Sequence, residues 1–460
     1  MSQGIRFCGA AETVTGSRHL LTLNGKCILV DCGLFQGARE IRERNWQPFP
    51  IPPHELDAVI VTHAHMDHIG WIPRLVAQGY RGPIYATSAT VALARVSLAD
   101  SGRLQEEEAH FRNKHGLSRH TPALPLYTEK ESLTCLKQFT PVRYDEWQEA
   151  PGKVAWRYLY AGHILGSAFA EIVLPSGETL LMSGDMGRFE TPIIRDPTPV
   201  RSAELLVIES TYGDRIHAHE DAEAKLEAIL ADAAKNGSCV LVPSFAIGRT
   251  QELLYYIKKL QMERRAPAIP IFVDSPMASD MTVIFLKHKE EHDEETRKAF
   301  EQHQNLITPD GLQWVRDAGQ SKELNSRDGP MVVISGSGMC QGGRIVHHLR
   351  HRLGDPNTVV LFTGYQAEGT LGRRILEKAP EVHVLGETVR VRAKVEKLNS
   401  LSAHADQAEM LKWLGFFEKA PKTTFIVHGE PPAQAALKEK IQQRFRWNCV
   451  IPKHLQAFEL

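Results

Sequence analysis

The stretch VIVTHAHMDH, residues 59–68, decides the reading of this chain. An apolar run beginning at Asp57 breaks off into His63, His65, Asp67 and His68, four metal-ligand side chains within six residues. Imidazole and carboxylate suit zinc, and a loop at a strand end can turn alternate side chains toward two adjacent ions. A lone histidine is usually a packed or surface residue, but four such groups at this spacing are hard to explain as packing.

Outward from this stretch, similar runs recur at 178–185, 204–213, 238–245, 331–338, 358–364 and 424–429. They are short, rich in Val, Ile and Leu, and closed by turn residues, as buried strands are. Helical patterns alternate with them. In residues 221–237, Leu226, Ile229, Leu230 and Ala233 fall on one face and Gly237 follows the end. Alternating strands and helices predict a layered α/β fold, in which chemistry gathers at the carboxyl ends of strands. Those ends carry His63, His65, Asp185, Glu209 and His428. Further ligands are sought in His163 of AGHILGSA, Asp185 of SGDMG and His428 of VHGE, each of which alone is equally compatible with a structural role.

Composition narrows the classes. The chain has 460 residues, with 54 Lys and Arg against 55 Asp and Glu, a formal charge of −1. Hydrophobic residues at 42% and charged residues at 24% exclude fibrous and largely disordered proteins. No run approaches the roughly 18–20 apolar residues of a membrane span, and the first residues carry no secretory signal pattern, so a cytoplasmic protein is expected. The seven cysteines contain no C-x-x-C pair and read as reduced core thiols. A polyanionic partner would need local basic patches, because the net charge supplies no attractive field. One such patch is VRVRAK. Val389, Val391, Ala393 and Val395 would face a core, and Arg390, Arg392 and Lys394 would line the other side of a strand, as a solvated edge or a nucleic-acid track. The acidic stretches Glu106–Glu108 and 290–295 read as solvated helix faces.

The order of these motifs resembles a known family. Asp31, HAHMDH at 63–68, His163 and Asp185 match the four motifs of the metallo-β-lactamase superfamily. Glu209 in ESTYG, His404 in SAHAD and His428 in VHGE match the three added motifs of its β-CASP branch of RNA-processing nucleases. The resemblance implies an αββα sandwich from residues 1–208 and 390–460, with an α/β β-CASP domain inserted at 209–389. It implies two zinc ions per chain, one held by His63, His65 and His163, the other by Asp67, His68 and His428, with Asp185 between them. Asp31, Asp67, Glu209 and His404 form the implied catalytic group: Asp31 orients a ligand, and His404, steadied by Glu209, assists at the scissile phosphate. RNA contacts are expected from Ser244, Arg249, the turn Ser335, Gly336, Ser337 and Gly338, and Ser402 with His404. Tyr212, Phe245 and Tyr365 are aromatic residues that could pack in a core or stack on bases.

The implied activity is a zinc-dependent ribonuclease, endonucleolytic, with 5′ to 3′ exonucleolysis left open. RNA is the expected partner and a membrane is not; a homodimer is among the assemblies the resemblance allows. Metal chemistry at a phosphodiester does not itself require a 2′-hydroxyl. His428 nevertheless stands where the DNA-directed Artemis-type branch usually has an apolar residue, which favours RNA. A DNA nuclease, or a small ester or lactam hydrolase on the same fold, is the alternative.

Overall fold

Strand Ala58–Ile60, which leads into the histidine cluster, lies inside a seven-stranded sheet of this computed structural model. The structure describes residues 3–118, 120–217, 221–302, 304–398 and 401–460. The strand order is Ala457–Glu459, Gly4–Phe7, His19–Leu23, Lys26–Val30, Ala58–Ile60, Ile84–Thr87, Phe139–Val142. A second seven-stranded sheet runs Cys449–Val450, Thr423–Ile426, Leu205–Ile208, Thr179–Met182, Ala168–Val173, Val154–Tyr160, Gln148–Ala150. The inner faces of the two sheets share one core, with Ile5, Phe7, Leu21 and Ile60 against Trp156, Tyr158, Ile172 and Phe425. Each large side chain buried here contributes about 1.5–3 kcal/mol. Outside, helix Ser88–His115 packs on the first sheet. On the second, Met410, Trp413 and Leu414 of helix Gln407–Leu414 and Leu437 and Ile441 of helix Pro431–Phe445 meet Leu181, Leu206 and Ile426. The layers are therefore αββα.

These layers form one unit, Met1–Thr191, Arg195–Ile216 and His404–Leu460; a second unit comprises Pro192–Ile194 and His217–Ala403. The second unit is built on a parallel sheet ordered Leu312–Trp314, Ile271–Asp274, Met331–Ser335, Cys239–Pro243, Thr358–Phe362, Lys394–Lys397. All seven apolar runs singled out in the sequence are strands. The helix read over 221–237 is Ala222–Asn236, where Asp221 caps the start through Ala224 N (3.0 Å) and Gly237 ends it at φ +65°. A cap of this kind contributes about 1 kcal/mol.

Two sequence expectations change in detail. VRVRAK does not form one strand: Glu387–Arg390 pairs with Glu381–Val384 in a hairpin, and Lys394–Lys397 joins the parallel sheet beside Thr358–Phe362. Between them Val391 N bonds Pro380 O, while Arg392 N and Ala393 N bond Leu353 O, so the backbone changes partner at those residues. The alternation of side chains survives, with Val389, Val391, Ala393 and Val395 against the core and Arg390, Arg392 and Lys394 exposed. Lys394–Lys397 completes this sheet, and the first unit resumes at His404. In the acidic stretch, Glu290, Glu294 and Glu295 are exposed as expected, but Glu291 is fully buried.

Candidate metal centre

Three adjacent parallel strands of the second sheet, Thr179–Met182, Leu205–Ile208 and Thr423–Ile426, end side by side. From their carboxyl ends emerge Asp185, Glu209 and His428. The facing sheet ends Lys26–Val30 and Ala58–Ile60 together, and there Asp31 and His63 emerge. Tyr158 joins the two sheets at this point, donating from its hydroxyl to Val61 O (2.7 Å) and Tyr85 O (3.0 Å). His163 lies in the loop between Val154–Tyr160 and Ala168–Val173, where Ser167 Oγ accepts its backbone N–H at 2.9 Å. Gly184, at φ +50°, brings the backbone before Asp185 so close to Thr62 that a Cβ would sit 2.6 Å from Thr62 Oγ1.

The structure brings all seven expected ligands together in two adjoining sets. His63 Nε2 and His163 Nε2 lie 3.1 and 3.2 Å from His65 Nδ1. His68 Nε2 lies 3.2 Å from His428 Nε2, which is 3.4 Å from Asp67 Oδ2. Asp185 stands between the sets. Its Oδ2 is 3.5 Å from His63 Nε2 and 3.6 Å from His163 Nε2; its Oδ1 is 3.3 Å from His68 Nε2 and 3.5 Å from His428 Nδ1.

These residues fit metal ions. Both oxygens of Asp185 are buried without a hydrogen-bond donor among the described residues, an expensive state for a carboxylate unless a cation completes it. Burial holds His63 well below the usual histidine range and His65 down to about 4, so both rings are neutral and present lone pairs; for His68 burial is outweighed by the charges of Asp185 and Asp31, which raise its pKa, so a metal ion there would replace a proton. Neutral imidazoles converging with carboxylates are a zinc donor set.

Asp31 holds the second set in place. One of its oxygens accepts Thr62 N (2.8 Å); the other accepts Thr62 Oγ1 (2.9 Å) and meets His68 Nδ1 at 2.7 Å, leaving His68 Nε2 to face the centre. The hydroxyl of Thr211 lies 3.1 Å from His428 Nδ1 in the same way. Thr62 and Thr211 were not singled out in the sequence, although each stands within two residues of a motif residue. Glu209 is fully buried, its oxygens accepting Met186 N (2.6 Å) and Thr211 N (3.2 Å) and meeting His404 Nδ1.

Of the expected RNA-contact residues, His404 belongs to the first unit and the others to the second. Ser244, Arg249 and Ser335 are buried in the second unit. Ser244 Oγ is bonded to Thr250 Oγ1 (3.0 Å), Arg249 is paired with Glu252, and Ser335 Oγ donates to Asp274 O (2.9 Å). Gly336 and Ser337 are half-buried and Gly338 is buried, in a turn where Gln341 N bonds Ser337 Oγ and Gln366 Nε2 bonds Gly338 O. Ser402 is buried just before His404. Of the three aromatics, Tyr212 is buried and packs near His404, while Phe245 and Tyr365 are half-buried.

A two-sheet sandwich with this His/Asp cluster at its strand ends defines a metal-dependent hydrolase of the metallo-β-lactamase type. Residues 16–203 match that superfamily, residues 250–375 the Beta-Casp domain, and residues 388–452 the Zn-dependent metallo-hydrolase RNA specificity domain. The chain belongs to the β-CASP branch of the superfamily. It is 40% identical over 437 residues to ribonuclease TTHA0252 of Thermus thermophilus, covering 95% of each chain. Transcription termination factor FttA of Methanocaldococcus jannaschii is 30% identical over 468 residues, 99% of this chain and 71% of that protein. A solved protein of unknown function from Enterococcus faecalis V583 shares the fold, with a TM-score of 0.56 over 100% of both chains at 12% identity. Among the described residues no helix is long and apolar enough to cross a membrane.

Proposed function

We propose that this protein is a ribonuclease that hydrolyses RNA phosphodiester bonds with two zinc ions. The observation that carries the reading is the pair of donor sets around the bare carboxylate of Asp185. The likeness to a named ribonuclease over 95% of the chain supports RNA as the substrate. His63 Nε2, His65 Nδ1 and His163 Nε2 would hold one ion, and Asp67, His68 and His428 the other, with one oxygen of Asp185 offered to each. Zinc bound there would supply Lewis acidity, bringing the pKa of a water toward neutrality and polarising the phosphodiester. Asp31 keeps His68 in register. His404, whose Nε2 is 3.9 Å from Asp185 Oδ2, lies at the rim of the donor sets and protonates the departing 3′-oxygen.

Endonucleolytic cleavage is the primary activity in this reading, and 5′ to 3′ exonucleolysis is an additional one. The first unit would be the metallo-β-lactamase domain and the second the β-CASP insertion. The turn 335–338, closing a parallel strand with small residues, would hold RNA phosphate through backbone N–H groups. Seven unpaired cysteines support a reducing compartment, and we assign the protein to the cytoplasm.

Incubation with end-labelled RNA and matched DNA, with and without a chelator, tests the proposal. Chelator-sensitive cleavage of RNA leaving 5′-phosphate and 3′-hydroxyl ends is expected, and a 2′-methoxy group at the scissile nucleotide should still permit it. Ends bearing 2′,3′-cyclic phosphate, or turnover of a lactam without action on RNA, would defeat it.

A further inference from the structure

We infer that Arg18 is a positioning residue for the metal centre, fixing the loop against which the Asp67–His68 turn is held. The inference rests on the proposed reading of Asp67 and His68 as zinc ligands.

Arg18 precedes strand His19–Leu23 and is only 4% exposed. A guanidinium taken out of water is costly unless a counter-charge offsets it, yet among the described residues Arg18 forms no ion pair with a carboxylate. Burial lowers its pKa to about 10, which leaves it charged at neutral pH. An apolar side chain of similar volume would avoid that cost, so the reason for a charge here lies in what its planar fork can do.

Two of the three guanidinium nitrogens are engaged. Nε and Nη2 donate to the same carbonyl, Gly33 O, at 2.9 and 2.7 Å, and Nη2 also reaches Asn45 Oδ1 at 3.2 Å. The guanidinium lies over Trp71 at 4.3 Å and beside Phe35 at 4.8 Å. Asn45 closes the node: its amide bonds both Phe35 N (2.9 Å) and Phe35 O (2.7 Å), and its backbone carbonyl accepts Trp71 Nε1 (2.9 Å). An ammonium lacks the planar fork that places two hydrogen bonds on one carbonyl while its carbon rests against two rings.

What the node grips is the cradle of HAHMDH. Gly33 is pressed so closely on the turn that a Cβ would stand 1.5 Å from Asp67 O. On either side, Ser17 N donates to Asp67 O (2.8 Å), Cys32 N to His68 O (2.7 Å) and Leu34 N to Met66 O (2.9 Å). Arg18 is thus one carbonyl away from the backbone that aims two ligands of the second donor set, and it reaches the first set only through that turn.

The experiment measures zinc affinity by competition with a chromogenic chelator, in parallel with thermal melting of the zinc-free protein. Arg18→Met and Arg18→Lys should both bind one of two ions about 10-fold to 100-fold more weakly, the range found when a group supporting a ligand is lost. The other ion should be held as in the wild type. Because the fork matters rather than the charge, lysine should not restore affinity. Asn45→Ala, which removes one guanidinium bond and both bonds to Phe35 but leaves the pair to Gly33 O, should weaken the same ion by a smaller factor and serves if the Arg18 variants do not fold. Wild-type affinity for both ions in the variants that fold, or full rescue by Arg18→Lys, would overturn the inference. Asp67→Asn is the control: if it keeps both ions at full affinity, the assignment of ligands has failed rather than the role of Arg18.

Discussion

His404 turns its Nδ1 onto both oxygens of Glu209, at 3.0 and 3.1 Å, and thereby points Nε2 into the donor cluster. Glu209 cannot swing away, because two backbone N–H groups hold the same carboxylate. His404→Ala should keep both zinc ions and near-normal RNA affinity while lowering kcat by about 10²–10⁴, the usual contribution of a positioned acid. Glu209→Gln should cost less, and the double variant should add little to His404→Ala, since the carboxylate acts through the ring. Single-turnover rates and metal analysis on the three variants check this; loss of zinc from His404→Ala would refute the assigned role.

The same pair sets a pH dependence. Burial alone would lower the pKa of His404, but the charges of Glu209 and Asp185 and the Glu209 hydrogen bond outweigh it and raise it to about 9. If a cationic His404 donates the proton, as proposed, activity should persist through neutral pH and fall on the alkaline side. Zinc bound beside Asp185 would pull the limb downward, and Glu209→Gln should move it further in the same direction. A kcat–pH profile with an unmoved basic limb in Glu209→Gln would contradict the coupling.

His428 should fail differently from His404, although the two belong to neighbouring motifs. Its Nε2 stands 3.2 Å from His68 Nε2 and its backbone N–H is tied to Ala10 O. His428→Ala should lower zinc content from two ions per chain toward one and lose activity through the metal. Elemental analysis of protein purified without added metal decides; a single ion in the fully active wild type would sink the two-ion reading.

Much of the centre was legible because its ligands sit at strand ends that the apolar runs already mark, as at Val59–His63 and Leu205–Glu209. The supporting residues were not. Thr62, Thr211 and Arg18 matter through partners 31, 217 and 15 residues away in the chain, which no local spacing reveals. Residues 387–397 show a similar limit. Alternation correctly gave the buried face, but the change of hydrogen-bond partner at Val391–Ala393 depends on Pro380 and Leu353, which arrive from other elements. Arg249, singled out in sequence as a phosphate contact, is paired with Glu252 one helical turn on, a partner that the sequence reading did not weigh.

That segment carries a prediction about RNA. Lys394 is engaged with Asp232 at 3.2 Å, whereas Arg390 and Arg392 are exposed. Replacing both arginines by Ala should weaken RNA binding across sequences and reduce the dependence of log affinity on log salt by about one for each phosphate no longer neutralised. Lys394→Ala alone should do less. Unchanged binding and salt slope in the double variant would return the segment to an ordinary solvated face.

The second unit holds a buried carboxylate whose removal should be costly for stability alone. Asp274, at the end of strand Ile271–Asp274, is fully buried and meets His348 Nε2 (2.7 Å), Ser321 Oγ (2.6 Å) and Arg344 Nη1 (2.7 Å). Burial by itself would raise its pKa, but hydrogen bonds from these three partners and the charge of His348 carry it below the ordinary carboxylate value of 3.8. A carboxyl depressed on folding contributes stability that is present above its unfolded pKa and lost as pH falls through its folded one. The second unit should therefore lose stability on acidification below about pH 4. Asp274→Asn should remove that part of the acid dependence and destabilise the unit at neutral pH by about 1–3 kcal/mol, because three donors lose a charged acceptor. Zinc content should not change, since every candidate ligand among the described residues lies in the first unit. Urea melts between pH 3 and 7, read alongside metal analysis, check both halves. A variant that unfolds at the same urea concentration as the wild type would show that the network is replaceable.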